Sequence, residues 1–481
     1  MSKTLKEKTA HGIFWSFLDK FGQQGLHMVV GIILMRYFLS PAEYGLVAVI
    51  IICNALGYVI IDSGFSNALI RKKEVTQTDL SSVFYFNVIL SLLIYLLIFL
   101  AAPFIAFFYE NPLLIKLVRI MALSIPLYSL SLVQITLFTK AIDFKRLAFS
   151  NIIALVCSGT LSLLLAWKGY GVWVLVMQPL SVIFVKNICL WSLSSWRPTL
   201  VYSKNSIKDL WKYSSKLLAS STLSVICKNL YASLIGKYYP IEQAGFYSNA
   251  NKYAEISFQT VIPAISTTVY PAMSNLQDEP EQLKKAFRKT VRVSSFVFFP
   301  VMLGLIVAAE PLILTVFGTK WLSIVPYFKV LCAGYLFMGM SSLNNILLFL
   351  KGKSAAFLYF TLSYNIALLI SIVISVHIGV LAMAISWSIV SVVYTAVYTL
   401  YTSKMIAYRL GEFVKDIIPY FTLALVMSAG VSVLSYFIQN HIILVGVQVV
   451  SGAAFYLGAT YLLGSKVFKE VVEIIKNKTI K

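Results

Sequence analysis

Apolar stretches long enough to cross a bilayer recur along the whole of this 481-residue chain, with only short polar breaks between them. A spanning helix needs roughly 20 mostly apolar residues. Inside lipid, only helices and closed barrels satisfy their own backbone polar groups. The stretches fall at residues 13–39, 44–65, 83–108, 113–138, 147–167, 172–196, 211–238, 246–273, 291–317, 325–350, 355–376, 380–402, 417–438 and 442–463. They predict an all-α polytopic membrane protein with about fourteen transmembrane helices. No polar segment between them is long enough to bury a core of its own, so no soluble domain is expected. The chain is 59% hydrophobic and 12% charged, about half the charge of an ordinary soluble domain.

The net charge of +21 would point to nucleic acid in a soluble chain. Here the cations fall in alternate loops. With the N-terminus inside, inner loops hold Arg71, Lys72 and Lys73, then Lys140, Lys145 and Arg146, then Arg197, Lys204, Lys208 and Lys212. Later ones hold Lys284, Lys285, Arg288, Lys289 and Arg292, then Lys351 and Lys353, then Lys404, Arg409 and Lys415. Roughly 28 of the 40 Lys and Arg land inside and about six outside, which predicts two cytoplasmic termini and no nucleic-acid partner. Lys3, Lys6 and Lys8 precede no short apolar region with a cleavage site, so the first helix is expected to be retained. Cys53, Cys157, Cys189, Cys227 and Cys332 sit inside apolar runs, without metal or disulfide spacing, and read as small hydrophobes.

The stretch from His11 to Leu39 departs from the rule of apolarity. Ser16, Lys20, Gln23, Gln24, His27 and Gly31 fall on one helical face, with Asp19 beside them. A charge at the bilayer centre costs about 2.5–3.5 kcal/mol on insertion scales, so this face is expected to look onto other helices or a wet cavity. The seventh span places Ser220, Ser224 and Lys228 at i, i+4 and i+8, and the eighth carries Ser248, Lys252, Glu255 and Gln259 on one face. Snorkelling at helix ends accounts for Lys186, Lys216 and Lys329, and Asp62 closes the second span. Depth argues against snorkelling for Lys20, His27, Lys228 and Lys252, although Lys252 and Glu255 would also make a purely structural i,i+3 pair. Deep lysines outnumber deep acids, and a cavity with surplus positive charge suits an anionic group. Lys20, Gln24, His27, Lys228 and Lys252 are therefore the candidate substrate-binding residues. Asp19, Glu255 and Asp62 are the candidates for ion coupling.

Two segments echo each other. Arg36-Tyr37-Phe38-Leu39-Ser40-Pro41-Ala42-Glu43-Tyr44-Gly45 follows the first span, and Lys237-Tyr238-Tyr239-Pro240-Ile241-Glu242-Gln243-Ala244-Gly245 follows the seventh. Roughly 200 residues and six spans separate them, which predicts a parallel repeat of two six-helix lobes. The expected division is residues 1–205, 206–402, and a terminal pair with its tail at 403–481. The tail, residues 466–478, and the loop at 277–292 both read as amphipathic helices on the inner leaflet.

No enzyme motif survives inspection, and no enzymatic activity is expected. Gly352-Lys353-Ser354 imitates the end of a phosphate loop, but Leu347 stands where the motif needs glycine and no strand precedes it. No His, Cys or carboxylate cluster has metal-ligand spacing. His377 and His441 sit at outer helix ends, and the outer loops are short.

The first echo segment, together with Asp62-Ser63-Gly64-Phe65-Ser66-Asn67-Ala68-Leu69-Ile70 and Lys140-Ala141-Ile142-Asp143-Phe144-Lys145-Arg146, resembles Wzx-type polysaccharide flippases. Within the multidrug/oligosaccharidyl-lipid/polysaccharide exporter superfamily, the colanic and teichuronic acid exporters are the nearest group. The resemblance implies a MATE-like fold of two six-helix bundles plus a terminal pair, in a bacterial cytoplasmic membrane. It implies alternating access that carries a polyprenyl-diphosphate-linked oligosaccharide to the outer leaflet, without cofactors and with coupling to H+ or Na+. Membrane lipids and other polysaccharide assembly proteins are the further partners it suggests. A multidrug or small-molecule exporter of the same fold is the alternative, and would favour acids over lysines in its cavity.

Reporter fusions after Leu39 and after Tyr239 are both expected to report the outer side of the membrane. Opposite sides would exclude a parallel repeat.

Overall fold

Helix follows helix along the chain, and no strand occurs among the described residues. The structure is a computed structural model that describes residues 5–62, 64–465 and 467–468, with the backbone alone at residues 5–14, 17, 209, 212–217, 261–268 and 271–272. The tail at 466–478, Val467 and Phe468 apart, lies outside the described residues, as does the side chain of Lys216. The chain packs as two units that divide between Gly245 and Phe246.

The first unit holds α1 (Leu5–Ile33), α2 (Pro41–Asp62), α3 (Phe65–Arg71), α4 (Gln77–Phe108), α5 (Leu113–Ala122), α6 (Ser124–Ser129), α7 (Leu132–Lys140), α8 (Phe144–Trp167), α9 (Trp173–Leu193) and α10 (Lys204–Tyr238). The helix α11 (Ile241–Ser274) carries the chain into the second unit. There follow α12 (Pro280–Val307), α13 (Ala309–Val316), α14 (Val325–Leu350), α15 (Ser354–Ser375), α16 (Val380–Met405), α17 (Leu410–Val433) and α18 (His441–Leu462).

Among the described residues, 11 helices are long and apolar enough to span a membrane, and the bent run from Leu113 to Lys140 makes up to 12. The two remaining long helices, α1 and α11, are the ones whose polar faces lower their hydropathy. With them the spans match the stretches read from the sequence one for one. Their outer surfaces are those of lipid-facing helices: Leu97, Phe104 and Phe107 on α4 are 66–85% exposed, an arrangement that water would oppose and lipid favours.

Helix ends follow the local sequence. Ser40-Pro41-Ala42-Glu43 starts α2 with a capping serine, a proline at the first helical position and a glutamate that reaches back. The Ser40 backbone N–H donates to Glu43 Oε2 at 2.7 Å, and its hydroxyl donates to the same oxygen at 2.8 Å. Thr76 and Asp79 form the equivalent box on α4, and the Asn440 side chain accepts from Ile442 and Ile443 at the start of α18. Gly64, at φ +73°, makes the left-handed step between α2 and α3 that a side chain would resist.

Helix interfaces inside each unit use small and polar residues, as expected where lipid removes the hydrophobic drive between helices. Ser181 donates to Ser158 at 2.8 Å across α8 and α9. The buried Asn54 of α2 donates to the Met121 carbonyl at 3.0 Å and to Ser124 at 2.8 Å. In the second unit Asn344 of α14 donates to Thr399 and accepts from Thr402 on α16.

The basic stretch at 277–292 turns out to be more than a surface helix. From Pro280 onwards it is the first part of the membrane-length α12, and its cations meet the acids of α17. Asp416, buried to 4%, accepts from Arg288 Nε at 2.7 Å, Arg292 Nε at 2.7 Å and the Tyr408 hydroxyl at 2.7 Å. Glu412, one turn earlier, pairs with Lys284 at 2.9 Å and Arg288 at 3.2 Å. Cations at i, i+4 and i+8 thus face acids at i and i+4, and the lock ties α17 to α12. Replacing Asp416 by Ala would leave Arg292 with no carboxylate and Arg288 with Glu412 alone, and is expected to cost about 3 kcal/mol. Glu412→Ala removes a carboxylate that is itself more exposed than Asp416 and is expected to cost less. Thermal unfolding of the purified protein in detergent measures both, and equal effects would contradict the ranking.

Candidate functional site

On α1 the polar residues sort onto two faces. Asp19 and Gln23, one turn apart, turn towards α8. Gln23 Nε2 donates to Asp19 Oδ1 at 2.8 Å, and Asn151 Nδ2 of α8 donates to both carboxylate oxygens, at 3.2 and 3.0 Å. Lys186 of α9, half-buried, lies close enough to feel the Asp19 charge. The carboxylate is thus held by neutral amides with a cation in electrostatic reach, all at membrane-spanning positions of one unit. Lys20 and His27 are exposed and Gln24 half-buried.

Lys228 stands exposed on α10, next to the fully buried Cys227. On α11 in the second unit, Lys252 is exposed and sits 5.6 Å from the Tyr253 ring centroid, while Glu255 is half-buried. On α14 the Tyr335 hydroxyl donates to Asn251 Oδ1 at 3.1 Å. Phe258 stacks on the same ring at 5.5 Å, and Trp387 of α16 tilts against it at 4.7 Å. Gly334 makes room for that tryptophan, since a Cβ there would lie 2.5 Å from its ring. The third ion-coupling candidate, Asp62, is occupied locally: it accepts from the Ser66 hydroxyl at 2.6 Å and so joins α2 to α3.

Sequence reading passed over Asn151 as the partner of Asp19. A lone asparagine inside an apolar span was the available signal, because such a group needs a partner across a helix interface. Tyr335 and Trp387 had no signal of their own; aromatic residues are common in every span. No group of three or more His, Cys, Asp or Glu is placed to hold a metal among the described residues.

The two echo segments touch. A Cβ on Gly45 would lie 2.0 Å from the Ile241 carbonyl oxygen, and one on Gly245 would lie 2.1 Å from that of Pro41. Each glycine therefore sits on the carbonyl four residues before the other, a reciprocal crossing of the starts of α2 and α11. One turn before α11, Gly236 of α10 packs on Val49 of α2, where a Cβ would come within 2.1 Å. Lys237 pairs with Glu110 at 3.0 Å beside it, and the Tyr109 hydroxyl donates to the Ser233 carbonyl at 3.1 Å.

A family of proteins described as "Polysaccharide biosynthesis protein" matches residues 33–326. The chain belongs to that family. The succinoglycan biosynthesis transport protein ExoT of Rhizobium meliloti (strain 1021) is 30% identical over 67% of this chain and 65% of its own length. The lipopolysaccharide biosynthesis protein WzxC of Escherichia coli (strain K12) is 26% identical over 73% of this chain and 71% of its own. The teichuronic acid biosynthesis protein TuaB of Bacillus subtilis (strain 168) is 24% identical over 62% of each. The chain thus spans 62–71% of the length of the relatives named. Among solved structures, the lipid II flippase MurJ in an inward closed conformation superposes at a TM-score of 0.78, with 15% identity over 96% of this chain and all of that one. An inward-facing multidrug transporter of the MATE family superposes at 0.64, with 15% identity over 80% and 94% of the two chains. The fold is that of the exporter superfamily expected from the sequence.

The glycine crossing makes a prediction. Gly45→Ala and Gly245→Ala each force a backbone apart and are expected to cost about 2–3 kcal/mol. Gly446→Ala on α18, where nothing lies within 4 Å, is expected to be neutral or to gain up to about 1 kcal/mol from helix propensity. Thermal unfolding of the three variants tests this, and equal behaviour would show that the crossing carries no constraint.

Proposed function

We propose that this protein is a flippase that moves a polyprenyl-diphosphate-linked oligosaccharide across the bacterial cytoplasmic membrane by alternating access. Family membership and the printed roles of ExoT, WzxC and TuaB in succinoglycan, lipopolysaccharide and teichuronic acid biosynthesis support a polysaccharide precursor as cargo. The observation that carries the reading is the set of exposed lysines on the polar faces of α1, α10 and α11. A diphosphate leaving the aqueous phase needs cations in place of its hydration. Lys20, Lys228 and Lys252 supply them, and Gln24 and His27 add hydrogen-bonding groups beside Lys20. Export of small cations by the same fold would call for acids at these positions, which favours the lipid-linked cargo over a drug.

Coupling falls most naturally to Asp19. Amide donors from Gln23 and Asn151 leave it able to bind and release a proton or Na+ as Lys186 approaches or withdraws. Glu255 is the counterpart in the second unit, whereas Asp62 serves its helix junction. No chemical step and no cofactor enters this account; the work is binding and movement. Both termini on the cytoplasmic side follow from the lysine distribution. The glycine crossing suits alternating access, because a contact made by backbone atoms is either closed or lost.

The experiment is a deletion strain complemented by variants, with lipid-linked oligosaccharide measured on the two sides of the membrane. Lys228→Gln and Lys252→Gln keep hydrogen bonding but lose charge, and are expected to lower export at least tenfold with normal expression and unfolding temperature. Arg at either position is expected to restore more function than Gln. Full export by the Gln variants rejects the diphosphate role. Asp19→Asn is expected to abolish the dependence of export on the ion gradient, and an unchanged dependence removes Asp19 from coupling.

A further inference from the structure

The second unit holds a cavity of about 690 Å³ that the transport reading does not use. It lies where α12 passes into α13, at the start of α14 and at the turn from α17 to α18. That is the end of the unit opposite its cation-rich loops. Its lining includes Glu310, Lys329, His441, Gln439 and Gln448. Along α18, His441 and Gln448 are seven residues apart, so the cavity reaches about 10 Å down the helix from its end.

Three features of the lining ask for a ligand. Lys329 is half-buried inside a membrane-length helix, and neither it nor Glu310 has an ion-pair partner among the described residues. Glu310 is exposed in the first turn of α13, a position that suits an acid. The two opposite charges face one cavity without meeting. Gln448 is buried to 4%, gives its Nε2 to the Val431 carbonyl, and keeps an Oε1 with no donor. A buried acceptor left unmatched costs about 1–3 kcal/mol.

We propose that this cavity binds the headgroup of a membrane phospholipid bearing a phosphate and a primary ammonium, of the phosphatidylethanolamine class. The phosphate pairs with Lys329. The ammonium pairs with Glu310 and donates to Gln448 Oε1. A quaternary ammonium carries the same charge but has no N–H to give, so a choline headgroup leaves Gln448 unmatched. An anionic headgroup without the amine leaves Glu310 unpaired. The volume lies within the range of ligand pockets, about 300–1,000 Å³. Ile442 and Ile443, beside His441, are exposed apolar residues that give the acyl chains a surface to follow. On the orientation proposed above, the lipid belongs to the outer leaflet. The binding claim itself depends neither on that orientation nor on the cargo, so its test is separate from that of transport.

The test uses the purified full-length protein, delipidated in detergent, with native mass spectrometry to count bound lipids. Phosphatidylethanolamine, phosphatidylcholine and phosphatidylglycerol of identical chains are added in turn. Phosphatidylethanolamine is expected to be retained about tenfold better than the other two, the factor that one matched hydrogen bond to a charged group supplies. Lys329→Gln and Glu310→Gln are each expected to remove that preference, Gln448→Leu to reduce the discrimination against choline, and Lys329→Arg to keep it. Gel filtration identifies any variant that fails to fold, and the Lys329→Arg and Gln448→Leu pair then decides alone. Equal retention of the three lipids, or an unchanged preference in whichever of Lys329→Gln, Glu310→Gln and Gln448→Leu fold, overturns the proposal. So does competition by glycerophosphoethanolamine as strong as that by the intact lipid, which would make the ligand a soluble zwitterion.

Discussion

A charge at membrane depth survives only where the protein gives it partners or water, and both units are arranged around that constraint. Asp416 is surrounded by two arginines and a tyrosine hydroxyl, so it is fully spent on holding α17 to α12. Asp62 is spent on a helix junction through Ser66. Asp19 differs from Asp416 in that its donors are neutral amides. Neutral donors stabilise a carboxylate without cancelling its charge, and on the transport reading proposed above that leaves Asp19 able to exchange a cation.

The glycine crossing solves a second problem set by lipid. Helices in a bilayer gain little from burying apolar side chains against each other, so close approach depends on small residues and on polar groups across the interface. At Gly45 and Gly245 the nearest atoms to an added Cβ are the backbone carbonyl oxygens of Ile241 and Pro41, so the two helix starts approach backbone to backbone.

The spans were legible because apolarity over roughly 20 residues has no other reading at this frequency. The two helices that fall short of that apolarity, α1 and α11, were legible for the opposite reason: polar residues at helical spacing inside a long span have to face something other than lipid. That argument picked out Lys20, Lys228 and Lys252 as candidate residues, and the structure leaves all three exposed. It did not find partners, since partnership depends on which helices are neighbours. Asn151 meets Asp19 across 132 positions of chain, and Arg288 meets Asp416 across 128. Periodicity within one segment carries no such information. The echo of the two proline–acid–glycine segments was visible as similarity, but the contact by which each copy packs on the other was not.

The acids at membrane depth and the candidate lysines differ in setting. Asp19, Asp62 and Asp416 each have side-chain donors from a defined residue. Lys20, Lys228 and Lys252 have exposed side chains on the polar faces of their helices. Long, exposed ammonium groups can follow a moving anion, since each has several rotatable bonds and three donors in no fixed geometry. A rigid arginine fork would bind a diphosphate more tightly in one pose, and would release it less readily. A carrier must let go on the far side, and uniformly tight binding slows that step. On the transport reading proposed above, lysine in place of arginine is thus the chemistry expected of groups that must pass an anion onward.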